Sequence, residues 1–173
     1  MQKLIILFAA IVLVSGCVDG FSAASFAFSD EEKSCDELIS DMHSDIIDAI
    51  ENNEITTAKR VIDGDTLVLE DDTKIRLIGI DTKERSEESY KEASSSLAEL
   101  TLGKKLYLTE DITDKDKYGR SLRYIFTEDT FVNAEQVRRG WAKSYRYEPD
   151  TYYSDLFDCL ETEAKQNGIS VWT

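Results

Sequence analysis

Positive charge is scarce in this sequence. Its 173 residues carry 20 Lys and Arg against 35 Asp and Glu, a formal net charge of −15, whereas phosphate polymers are ordinarily held by a basic surface. Over the whole chain that balance argues against a partner of like sign. Its distribution weakens the exclusion: residues 30–55 sum to −9 and residues 149–173 to −4, but residues 56–148 sum to only −2. The central segment is close to neutral and leaves an anionic substrate open. Histidine is limited to His43, with no second His or suitably spaced Cys beside it, so a zinc-type site is disfavoured and His43 reads as structural. Proline is limited to Pro149, no internal repeat is found, and the longest apolar run, Leu4 to Val14, has 11 residues. A helix that crosses a bilayer needs about 20.

That run follows Lys3 and suits the h-region of a secretory signal. Val14-Ser15-Gly16-Cys17 resembles the lipobox of prokaryotic lipoproteins, in which the Cys is lipidated and becomes the mature N-terminus. Cleavage by the ordinary signal peptidase, or retention as a short anchor, is the alternative. Residues 1–16 are then a lipoprotein-type signal peptide and residues 17–29, small and unpatterned, a tether. An exported protein is expected, lipid-anchored to the cell membrane through Cys17 or extracellular. Cys35 and Cys159 would remain as a possible disulfide in an oxidising compartment, with two separate buried thiols as the alternative.

With 42% hydrophobic residues the rest of the chain suffices for one domain with a real core. Ser29 or Asp30 can N-cap an acidic amphipathic helix within residues 30–55, in which Leu38, Ile39, Met42, Ile46, Ile47 and Ile50 recur at helical spacing. From Thr56 the period changes to two, through AKRVI, DTLVLE and KIRLIGI, broken at Asp63-Gly64 and Asp71-Asp72. Asp-Gly between alternating runs predicts a hairpin in which Gly supplies a positive φ. EESYKEASSSLAEL has helical character, KKLYLTE and SLRYIFTE read as strands, and Asn133 is placed as the cap of a short helix. A last helix starts near Asp150 and stops at Asn167-Gly168. Three strands, a helix, two strands and further helices give an α+β fold: a five-stranded OB-type β-barrel over residues 56–173 with appended helices, plus the extra N-terminal acidic helix.

VIDGDTLVL, RLIGIDTKE, DKYGRSLRYIF, VNAEQVRRGWA and the closing SVWT resemble, in order and nearly in spacing, the staphylococcal nuclease (thermonuclease) family over about residues 57–173. The resemblance implies Asp65 and Asp81 as carboxylate ligands of a Ca²⁺ ion, with the backbone carbonyl of Thr82. It implies Glu84 as the group that orients or deprotonates the attacking water, and Arg76 and Arg120 as a phosphate clamp. Lys117, Tyr118, Tyr145 and Tyr147 fall where the family binds the nucleotide; on their own spacing Tyr145 and Tyr147 would alternate on a strand and pack on the barrel.

These residue types suit phosphodiester hydrolysis, in which a hard cation with oxygen ligands offsets charge building on phosphorus and guanidinium forks match phosphate oxygens. Asp111, Asp114 and Asp116 lack the spacing of an EF-hand loop, and Arg123 reads as a salt-bridged strand residue. Arg76 and Asp81 are five apart on one strand, and odd separations point to opposite faces. A bend near Gly79 is therefore required to unite them. Two departures stand out: the family usually has Pro where Lys83 lies, which leaves the Glu84 loop without a fixed φ, and its basic loop is replaced by the acidic RSEESYKEASSS. The resemblance implies a monomeric, Ca²⁺-dependent endonuclease that hydrolyses DNA and RNA to 3′-phosphate ends. The alternative is a non-catalytic OB-type module that binds nucleic acid or a protein on the cell surface.

Overall fold

The computed structural model describes residues 33–172; the expected signal peptide, Cys17 and the tether lie outside the described residues. Along the chain run α1 (Cys35–Asn52), β1 (Ile55–Thr56), β2 (Ala58–Val61), β3 (Thr66–Leu69), β4 (Lys74–Leu77) and β5 (Ile80–Thr82). They are followed by α2 (Tyr90–Thr101), β6 (Leu106–Thr109), β7 (Ser121–Phe126), α3 (Val132–Arg138), β8 (Ala142–Ser144) and α4 (Ser154–Gln166). The main sheet has the order β1-β6-β7-β4-β3-β2, and its two edges are consecutive in the chain, parted only by Thr57. One stretch, Ile55–Val61, thus begins and ends the sheet, which curls into a five-stranded barrel. All pairings within it are antiparallel except β4 with β7. This is the OB-type arrangement with helices added. A separate two-stranded ribbon, β5 with β8, leaves the barrel beside its mouth.

β3, paired on both sides by β2 and β4, is buried at all four positions. Tyr124, Phe126, Phe131, Tyr153 and Phe157 form an aromatic cluster in which Phe126 stacks on Phe131 at 4.4 Å and Tyr153 meets Tyr124 edge-on at 4.7 Å. Geometries of this kind stabilise beyond area burial alone. The cluster seats α4 against α3, and α4 in turn packs on β8.

The acidic helix starts later than the sequence pattern placed it, at Cys35 behind a Ser34 cap. Ser34 Oγ accepts the Glu37 N–H at 3.4 Å while the Glu37 carboxylate accepts the Ser34 N–H at 2.8 Å, a reciprocal capping box. Ile46 and Ala49 enter the core, and Leu38, Ile39, Met42 and Ile50 pack against it, but Ile47 is exposed and lies off the stripe. The helix belongs to the same compact unit as the barrel and packs on α4, β6 and β7. A disulfide joins Cys35 to Cys159 on α4, with Cα atoms 5.8 Å apart across a separation of 124 residues. Closing a loop of that length removes roughly 4–5 kcal/mol of freedom from the unfolded chain. His43 is exposed, with Nδ1 3.0 Å from the Ile39 carbonyl oxygen. Among the described residues no helix is long and apolar enough to cross a membrane.

Candidate active site

β3 and β4 set the first two charges in place. Asp65 immediately precedes β3, and Arg76 on β4 is registered opposite Thr66. The chain then turns at Ile78-Gly79, where Gly79 has φ +76 and any Cβ would collide with the Phe157 ring. Only glycine meets both conditions without strain. That turn ends β4 and starts β5, so the alternation of faces restarts and Asp81 comes round to Arg76. Arg76 Nη2 lies 3.2 Å from Asp65 Oδ2 and 3.5 Å from Asp81 Oδ1. On β8, Lys143 approaches the other side of Asp81, with Nζ 3.3 Å from Oδ2.

Asp65 is 6% exposed and strongly held. Its Oδ2 accepts the Thr82 N–H at 3.0 Å and the Thr82 hydroxyl at 2.9 Å, and its Oδ1 accepts the Thr66 hydroxyl at 2.9 Å. Burial pushes Asp65 above the ordinary carboxylate range, with the nearby Asp63 adding to it, against the pull of Arg76 and the two threonines. Thr82 is buried and orients Asp65 from behind; it does not line the cleft. The Asp63-Gly64 turn departs from expectation, for Gly64 takes no positive φ. A Cβ there would lie 2.8 Å from both the Ala93 Cβ and the Thr82 Oγ1, so glycine is needed for close packing instead of turn geometry.

These groups form one wall of a cleft of about 470 Å³. Asp65, Arg76, Asp81 and Glu84 meet Lys117, Tyr118, Arg120, Tyr145 and Tyr147 around it. Glu84 is exposed; its backbone N–H donates to Glu87 at 2.7 Å, and among the described contacts its own carboxylate has no protein partner. Lys83, in the family's proline place, is held by side-chain contacts: its Nζ is 3.5 Å from Glu87 and 4.0 Å from the centre of the Trp172 ring. Arg120 Nε donates to Asp116 Oδ2 at 2.6 Å, and the same carboxylate accepts the Arg120 and Tyr118 backbone N–H groups. Burial alone would raise Asp116, but these donors outweigh it and hold the carboxyl below its usual range. Tyr145 and Tyr147 follow β8 and do not lie on a strand; their rings stack at 6.2 Å with their faces near parallel. With Tyr118 they are exposed.

A second cavity of about 460 Å³, between α1 and the barrel, is lined by Asp45, Asp48, Glu110 and Asp111 and by no base, which disfavours a phosphate polymer there. Asp111 accepts the Tyr124 hydroxyl and Asp114 pairs with Arg123 at 2.6 Å, so the acids of that loop are occupied by structural partners.

Several residues that support the site escaped the sequence reading. Asn133 is not a cap: α3 begins at Val132, and the fully buried Asn133 side chain accepts the Ile125 N–H and donates to the Ile78 carbonyl at 2.9 Å, next to the Gly79 turn. Gln136, one turn on and also fully buried, donates to the Gly64 carbonyl at 2.7 Å, next to Asp65. Two amides on one helix thus hold both carboxylate-bearing turns. The available signal was a pair of amides three apart on one face of a short helix, among Val132, Ala134 and Val137, and a buried face tolerates amides only when they are bonded. Asp116, Lys143 and the buried Asp150 carried no signal beyond their charge.

The family described as Staphylococcal nuclease homologue matches residues 74–173. Among curated proteins, the thermonuclease of Staphylococcus intermedius is 33% identical over 123 residues, covering 66% of this chain and 73% of its own length. Endonuclease YncB of Bacillus subtilis is 30% identical over 200 aligned positions, covering 100% of this chain and 93% of that protein. The micrococcal nuclease of Shigella flexneri is 30% identical over 126 residues, covering 66% and 71%.

Proposed function

The chain belongs to the staphylococcal nuclease family, and we propose that it is a Ca²⁺-dependent endonuclease that cleaves DNA and RNA by attack of water on phosphorus, leaving 3′-phosphate ends. The observation that carries this reading is the convergence of Asp65 and Asp81 on one nitrogen of Arg76, at the wall of a cleft that also holds Glu84, Arg120 and three exposed tyrosines. The donor set fits the metal. Both carboxylates offer hard oxygen, among the described residues neither thiol nor imidazole lines the cleft, and Asp65 Oδ1 keeps a lone pair beyond its single bond to Thr66. Asp65 and Asp81, which line the cleft, would hold the ion. The family resemblance adds the Thr82 carbonyl, although Thr82 itself does not line the cleft. When bound, Ca²⁺ offsets charge developing on the phosphate oxygens.

The remaining steps belong to the protein. Glu84, which lines the cleft and whose carboxylate has no partner among the described residues, orients a water and takes its proton as the oxygen bonds to phosphorus. Arg120 keeps its terminal nitrogens available while Asp116 fixes the guanidinium plane through Nε. Arg76 lines the same cleft, with Nη1 bonded to the Leu77 carbonyl and Nη2 facing the two carboxylates, so charge on the phosphate oxygens is met by preorganised guanidinium groups as the 5′ oxygen departs. Tyr118, Tyr145 and Tyr147 present ring faces, which stack on any base, and this supports activity on both DNA and RNA. One chain holds every group named, which supports a monomer.

Export and lipid anchoring at Cys17 are proposed on residues 1–17 alone, with support from the Cys35–Cys159 disulfide, a bond that persists in oxidising compartments. The reading is tested by incubating the protein with a labelled DNA strand and a labelled RNA strand and identifying the new ends. Expected are internal cuts in both, each with a 3′-phosphate and a 5′-hydroxyl. Intact strands that nevertheless bind the protein would favour the non-catalytic OB-type module.

A further inference from the structure

Asp150 lies outside every group assigned above, yet it is 1% exposed and lines the cleft. Its Oδ1 accepts two backbone N–H groups, from Ile112 at 3.1 Å and Thr113 at 2.7 Å. Its own N–H donates to the Tyr147 carbonyl at 2.9 Å, in an isolated antiparallel bridge between the two residues. Its other oxygen, Oδ2, is buried without a partner among the described residues. Burying a carboxylate costs free energy unless its bonds offset it, and the bonds it makes here all run between two pieces of chain.

Both pieces contribute residues to the cleft. Beyond Thr113 the chain closes into a hairpin of its own: Leu122 N–H donates to Asp114 O at 2.8 Å, Asp116 N–H to Arg120 O at 3.0 Å, and Lys115 pairs with Ser121. This hairpin carries Lys117, Tyr118 and Arg120 between Ile112-Thr113 and the start of β7. The turn that Asp150 closes begins at Tyr147, two residues after Tyr145, whose own N–H donates to the Gly79 carbonyl at 2.9 Å. Asp111 adds a weaker tie farther out, accepting the Tyr152 N–H at 3.1 Å.

We propose that Asp150 is a positioning residue for substrate: its buried carboxylate sets the separation between the Lys117–Arg120 hairpin and the Tyr145–Tyr147 turn, and so governs affinity for the nucleic-acid strand more than the chemical step. The proposal rests on the nuclease reading of the same cleft. Only Oδ1 has partners, so the acceptor and not the charge does the positioning, and an asparagine oxygen should serve in its place.

The test uses the full chain with a single-stranded DNA oligonucleotide, reading kcat and KM with Ca²⁺ and, separately, the affinity for the same oligonucleotide by fluorescence anisotropy in chelator. Loss of bonds to a charged acceptor is commonly large enough to shift an equilibrium ~10-fold or more, so D150A should raise KM and weaken anisotropy binding by about that factor while kcat changes far less. D150N should recover most of the loss. Where D150A does not fold, D150E keeps the charge but displaces the carboxylate by one methylene from the Ile112 and Thr113 N–H groups, and should raise KM in the same way. Wild-type KM in D150A or D150E, a fall in kcat alone, or D150N as weak as D150A would each overturn the proposal. If the wild-type protein cut nothing, the nuclease reading would fail, whereas the anisotropy series would still judge Asp150.

Discussion

Arg76→Ala should lower turnover at least ~10²-fold, by analogy with loss of a single preorganised donor at other transition-state sites. The same change should also weaken the fold. Arg76 is the cation between Asp65 and Asp81, at 3.2 and 3.5 Å, and its side chain is only 14% exposed. Removing one member of a buried charge pair commonly costs about 3–5 kcal/mol, because the remaining charge is left without compensation. Asp65 is already held above its ordinary range by burial, so it suffers most. A divalent cation that binds the native state and not the unfolded chain restores stability by mass action, so added Ca²⁺ should recover part of the lost melting temperature without recovering the rate. Near-wild-type turnover in a folded Arg76→Ala variant would remove Arg76 from the clamp.

Glu84→Gln should separate chemistry from structure more cleanly. General-base catalysis typically contributes ~10²–10⁴-fold, and the isosteric amide cannot accept the proton of the attacking water. The Glu84 carboxylate is exposed and makes no protein contact among those described, so its exchange should leave stability within about 0.5 kcal/mol, as for other surface positions. Calcium affinity, read by titration calorimetry, should hold. Turnover and a thermal melt of the purified variant check both halves, and a folded Glu84→Gln protein that cuts at the wild-type rate would mean that another group takes the proton.

The alternation in KIRLIGI was enough to place β4, whose Ile75 and Leu77 are buried on either side of Arg76, whereas β3 showed itself as a short apolar run between turn signals because it is buried at every position. The same parity rule exposed its own failure at Arg76 and Asp81, and Gly79 answered it with a positive φ. Less legible were the residues whose role depends on partners far away in the chain. Asn133 looked like a cap because amides favour that position, but its bond runs to Ile78, 55 residues back, and that of Gln136 to Gly64, 72 back. Asp150 reached Ile112 and Thr113 from 38 and 37 residues away. No local period carries such information. Gly64 misled for a related reason: Asp-Gly is a turn signal when glycine supplies conformation, and here it supplies room for Ala93 and Thr82. The acidic helix showed an apolar stripe, but composition could not tell whether the stripe met the barrel, and its docking through Ile46, Ala49 and the disulfide appeared only in three dimensions.

Metal dependence tests the central claim most directly. The purified protein is incubated with plasmid and with single-stranded RNA, in parallel with Ca²⁺, with Mg²⁺ and with chelator, alongside Asp81→Asn, which removes one of the two carboxylate charges facing Arg76. Cleavage of both polymers with Ca²⁺, none in chelator, full recovery when Ca²⁺ is restored, and a markedly higher Ca²⁺ requirement in Asp81→Asn is the result predicted. Cleavage that proceeds equally in chelator, or a wild-type protein that leaves both polymers intact with Ca²⁺ across neutral to alkaline pH, would contradict it.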